Sequence, residues 1–179
     1  MSKARSSHAA IKRYAKPLQR ALSCVSKTDQ WLTGRPTGKD LYRLAIAGGG
    51  PVQIRFTDRE PLYLDAGQTF DVYYDGSEYR VRTEGYIYII SPSERLDSAL
   101  VAWHWHPPNR SRPHLHLDRE LGHIPTGRVT FESVVRYAIE ELAAIPARKD
   151  WDDVLLATES LHVRYRSWNV DPAVEPPDR

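Results

Sequence analysis

Between residues 41 and 117, apolar and polar residues alternate in short runs that stop at turn residues. This period-two pattern predicts half-buried strands. LYRLAIA ends at Gly48, Gly49 and Gly50; VQIRF ends at TDREP; PLYL ends at DAGQ; TFDVYY ends at Asp75 and Gly76, a strong hairpin turn. EYRVR and YIYII follow, divided by Gly85, then ALVAWHWH after SPSERLDS, and RPHLHLD closes the series. Strands joined by such short connections mostly pair with their neighbours, so the pattern predicts a curved antiparallel meander of about six to eight strands.

The period changes to that of a helix on either side of this block. From Ser7 to about Lys27, Ile11, Leu18, Leu22 and Val25 form a loose apolar stripe, and Pro17 predicts two short helices or one kinked helix. Thr28 to Asp40, with Gly34, Pro36 and Gly38, reads as a linker. Near the other end Thr130 is a natural N-cap for a helix whose stripe is Phe131, Val134, Val135, Ala138, Ile139 and Leu142. Asp150 then caps a second helix beginning at Trp151. The expected fold is therefore α+β: a curved antiparallel meander with an N-terminal helix and two C-terminal helices packed on one face. Residues 1–40 read as a basic helical arm with its linker, 41–168 as the α+β domain, and 169–179 as a polar, Pro-rich tail that frays.

Composition changes this picture in three ways. No apolar run approaches the roughly 20 residues that a membrane-spanning helix needs, and residues 1–30 lack the apolar core of a signal peptide, so the expected location is cytoplasmic with no membrane partner. The single Cys24 excludes an internal disulfide and any multi-cysteine zinc site, so a metal would need histidine and carboxylate ligands. The net charge of +2 hides an asymmetry: residues 1–43 hold ten Lys or Arg against Asp29 and Asp40, a balance of +8, and the remainder carries −6. A basic segment of this kind suits a polyanion or an acidic protein partner, and equally a solvated helix surface.

The densest chemical signal is a pair of H-x-H motifs, His104 and His106 in AWHWHPP and His114 and His116 in RPHLHLD, joined by a seven-residue connector. Alternation along a strand puts both imidazoles of each motif on one face and Trp103, Trp105, Leu115 and Leu117 on the other. A hairpin register of His104 opposite His116 and His106 opposite His114 would gather four imidazoles, with cross-strand Cβ atoms roughly 5 Å apart. Imidazoles that close can share a metal, a proton or an anion. Asp118 has the parity to join this face and orient a ring or complete a metal shell. Arg110 and Arg112 in the connector are placed to hold a phosphate beside the histidines. In HIPTGR, His123, Thr126 and Arg128 fall in a loop leading into a helix N-terminus, where a phosphate could be held.

The arrangement of an aromatic residue, H-x-H, a short loop and P-H-x-H, here Trp103 to His116, resembles the TumE-type family of small toxins of toxin-antitoxin systems. The resemblance spans about a tenth of the chain. It implies an antiparallel sheet with helices, an RNA substrate, an antitoxin partner, and catalytic roles for His104, His106, His114 and His116. The chain departs from that family in its basic N-terminal segment and its HIPTGRVTFESVVRYAIEEL segment.

Three functions follow as expectations. In the first, the protein is a small nuclease, acting on RNA rather than DNA. It is metal-independent or metal-assisted; in the metal-free version one of the four hairpin histidines takes the 2′-hydroxyl proton, another protonates the leaving oxygen, and Arg112 and Arg128 neutralise the phosphate, with no cofactor required. In the second, the same histidines, with Asp118, bind Zn²⁺ or Ni²⁺ in a metal-binding protein or metal-dependent hydrolase. In the third, the histidines are structural and the protein is a non-enzymatic, partner-binding or regulatory module.

Overall fold

The computed structural model describes residues 3–27, 31–34, 41–46, 50–105, 112–117 and 122–168, with backbone alone for 31–34 and 162–168. The elements run α1 (Ser7–Leu22), β1 (Trp31–Gly34), β2 (Tyr42–Ile46), β3 (Val52–Ile54), β4 (Leu62–Tyr74), β5 (Tyr79–Ser91), β6 (Val101–Trp105), β7 (His114–Leu117), β8 (His123–Pro125), α2 (Phe131–Glu140), α3 (Trp151–Tyr165) and β9 (Arg166–Trp168). One sheet takes the order β1-β2-β4-β5-β6-β7-β8, antiparallel throughout; β3 also pairs with β4, and β9 lies parallel to β5. The expected α+β meander with one N-terminal and two C-terminal helices is the observed architecture.

Two predicted breaks are absent. PLYL and TFDVYY merge through DAGQ into the single strand β4, and EYRVR and YIYII merge through Gly85 into β5. Glycine removes a side chain but keeps its backbone N–H and C=O, so it can stay in a ladder. Gly67 pairs with Ala45 on one side and Ile87 on the other, and Gly85 pairs with Thr69. The register shifts between Thr69 and Phe70, leaving Glu84 as the extra residue of a bulge that bends the long hairpin. The Asp75–Gly76 turn is as expected: Gly76 has φ +92°, and Asp75 Oδ1 accepts from the backbone N–H groups of Ser77 and Glu78. The segment read as a linker contributes β1, which pairs with β2.

The helices cover one face of the sheet. α1 is a single helix with Pro17 inside it, started by Ser6, whose hydroxyl accepts from the Ala9 N–H at 3.1 Å. Its Tyr14, Leu18, Ala21 and Leu22 are buried in the same core as the strands, so the basic segment is built into the fold. Arg13 pairs with Glu78 at 2.9 Å, and Glu78 also accepts from the Ala4 N–H, which ties the start of the chain to the β4–β5 turn. Beneath α1 a polar chain runs through the core: the Tyr14 hydroxyl donates to Gln68 Oε1, and the Gln68 amide donates to the Tyr88 hydroxyl. Thr130 caps α2 as predicted, accepting from the Ser133 N–H at 3.1 Å, and both hydroxyls donate to Glu159 of α3. α3 begins at Trp151, with the Asp150 carboxylate gripped by Arg148 at 2.7 and 2.8 Å.

Candidate functional site

The inner face of β6 anchors the site from behind. Trp103 and Trp105 are 8% and 2% exposed; Trp103 meets Tyr137 of α2 edge-on at 5.4 Å, and Trp105 packs beside Tyr86. Leu115 and Leu117 of β7 pack against the same core. With alternate residues thus committed inward, His104, His114 and His116 must project from the outer face. The separation of tryptophans and histidines read from the sequence is the observed one.

The register differs from the expected one by two residues. His104 pairs with His114, and His116 pairs with Ala102. A shift of two preserves which face each residue occupies, so the histidines still converge. Ring centroids are 5.6 Å apart for His104 and His114, 4.7 Å for His104 and His116, and 4.9 Å for His114 and His116. One ring nitrogen from each of the three lies within 4.8 Å of the others.

A further histidine completes the group. His123, expected in a loop, lies in the edge strand β8 directly opposite His116. Its ring stacks on His114 at 4.6 Å with an interplanar angle of 7°, and meets His116 at 4.3 Å. β8 is held there by its pairing with β7 and by the Thr126 N–H, which donates to the Pro113 carbonyl at 2.9 Å. His123 carried no strand signal, because HIP is too short and ends in proline. Its parity with the H-x-H of β7 is visible only once the pairing is known.

Two features bear on the protons of the group. His114 Nδ1 lies 2.8 Å from the Arg112 carbonyl oxygen. A carbonyl only accepts, so Nδ1 carries a proton, and the neutral ring is the tautomer with its lone pair on Nε2. Burial pulls the His116 pKa below its ordinary value, and the neighbouring His123 and His114 add to the effect by making a further positive charge unfavourable. The shift favours the neutral ring of His116, the form a metal ligand or general base uses.

The other expected site residues divide. Arg112 is exposed and adjoins His114 through its carbonyl. The Arg128 guanidinium lies 4.3 Å from the centre of the Trp105 ring, which faces the core side of β6. A guanidinium over an indole face gains cation–π attraction while its hydrocarbon stem covers apolar surface. His106, Arg110 and Asp118 lie outside the described residues.

No family model, curated protein or solved structure matches the chain. Among the described residues, no helix is long and apolar enough to cross a membrane.

Proposed function

We propose that the protein is a metal-dependent hydrolase whose centre is the three-histidine group His104, His114 and His116. The observation that carries this reading is the convergence of three ring nitrogens within 4.8 Å of one another. Tetrahedral coordination needs nitrogens about 3.3 Å apart, a distance that small side-chain rotations supply. The His114 Nδ1–H bond to a backbone carbonyl is the support that metal-ligating histidines normally have, and it presents Nε2 outward. The donor set favours Zn²⁺ or Ni²⁺, and three protein ligands leave a position for water, which zinc acidifies enough to act as a nucleophile near neutral pH. Protein purified without a polyhistidine tag should take up about one equivalent of Zn²⁺ in calorimetry, and His114→Ala and His116→Ala should lose that site. Absence of binding in the folded wild type refutes the reading.

A second reading is favoured by a different observation. The stacked His114 and His123, beside a His116 that resists protonation, make a set of imidazoles suited to accepting one proton while donating another. This supports the metal-free ribonuclease to which the TumE-type resemblance points, with a cytoplasmic location and an antitoxin or other acidic protein as partner. Cleavage of a mixed-sequence RNA in excess chelator separates the two. Cleavage that persists favours the ribonuclease, and cleavage that vanishes and returns with added Zn²⁺ favours the metal centre.

A further inference from the structure

The outer face of the sheet carries another charged group in line with the histidines. His114 lies opposite His104, His104 opposite Ile87, Ile87 opposite Gly67 and Gly67 opposite Ala45, so one row of partners crosses the five strands β7, β6, β5, β4 and β2. Gly67 has no side chain to fill its place in that row, and the Arg43 side chain of β2 lies over it. The point at which a Gly67 Cβ would stand is 3.4 Å from Ile87 Cγ2 and 3.7 Å from Arg43 Nη2. Ile87 therefore has the guanidinium to one side and His104 to the other. Neighbouring strands are about 4.8 Å apart, so the arginine head over β4 stands about 10 Å from the histidines on β6.

The surroundings of Arg43 suit it to an external anion. Arg82, the arginine further along the β4–β5 hairpin, is held by Asp71 at 3.1 Å and Glu84 at 2.9 Å. Arg43 is exposed, and among the described residues its guanidinium forms no such ion pair. Among the described residues, Asp71 and Glu84 are both taken up by Arg82, and Asp65 lies opposite Ile89 on the neighbouring row, outside the Ile87 row itself.

We propose that Arg43 anchors an acidic end group of the substrate, a carboxylate or a phosphate, about 10 Å from the bond on which the histidine centre acts, with an apolar spacer lying over Ile87. The proposal rests on reading the histidine face as a metal centre. A guanidinium can grip either end group through two parallel N–H bonds, and a partly buried isoleucine between the two polar sites favours a spacer without polar groups of its own.

Octanedioate, whose carboxylates are separated by about the required span, is a direct probe, and octanoate is its control with a single acidic end. In calorimetry on zinc-loaded protein, octanedioate should bind about tenfold more tightly than octanoate, and Arg43→Gln should abolish that preference while leaving the zinc affinity unchanged. Phosphono-octanoate identifies the end group: tighter binding than octanedioate, lost in the same variant, assigns a phosphate, and weaker binding assigns a carboxylate. Equal binding of octanedioate and octanoate by the zinc-loaded wild type overturns the anchor. A protein that takes up no zinc but still prefers octanedioate through Arg43 overturns the metal reading and retains the anchor.

Discussion

His123 stands opposite His116 in the last strand pair of the sheet, with the two ring centroids 4.3 Å apart. The contact has an electrostatic consequence, because His123 is one of the groups that hold the His116 pKa below its ordinary value. His123→Ala should shift the His116 titration upward, toward the ordinary histidine value of about 6.5. Following the imidazole resonances of both proteins against pH by NMR checks this. An unchanged His116 titration would show that burial and His114 set its pKa without His123.

The site and the core should respond separately to mutation. His104→Ala, on the half-buried outer face, should change folding stability by no more than about 1 kcal/mol while abolishing zinc binding at the proposed centre. Trp105→Ala, one residue further on and 2% exposed, should cost about 3–5 kcal/mol by opening a cavity beside Tyr86 and beneath Arg128. Urea denaturation of the two variants measures both values.

Thr130→Ala should cost about 1 kcal/mol, the usual effect of losing a side-chain helix cap. Here it also removes one of the two hydroxyl donors to Glu159, so the variant should loosen the contact between α2 and α3. Amide hydrogen exchange should show faster exchange at the Ser133 N–H, which the hydroxyl caps at 3.1 Å.

Acid should act on the β4–β5 turn. The N–H groups of Glu78 and Ser77, which donate to Asp75, hold its pKa at about 2, against an ordinary 3.8. A carboxyl depressed on folding adds stability that is fully present above its unfolded pKa and is lost as pH falls through its folded one. The excess in thermal stability of wild type over Asp75→Asn should therefore be constant above about pH 4 and shrink toward pH 2. Thermal melts across that range test the sign.

What the sequence revealed about this fold followed from periodicity, and what it concealed followed from pairing. Alternation assigned Trp103 and Trp105 to the core and the histidines to the opposite face, because burial pattern is a local property of a strand. The register of His104 against His114 depends on how the connector closes between β6 and β7. A two-residue slip leaves every side chain on its own face, so the amphipathic pattern could not distinguish the two pairings. Gly67 and Gly85 looked like boundaries because a glycine in isolation weakens a strand, yet each is held in its ladder by neighbours distant in sequence. His123 joined the group through long-range pairing, and Arg128 met the indole of Trp105 across the fold. Neither partner could be identified from local composition.

The alternation in β6 and β7 also bears on how this hairpin can change over evolutionary time. Residues that specify folding and residues available for chemistry are interleaved one by one along the chain, yet they lie on opposite sides of a single backbone layer. Substitutions at the outward positions are thereby largely insulated from foldability. The same scaffold can lose its histidines, exchange them for other donors or acquire a different reactive group without redesign of the packing behind them.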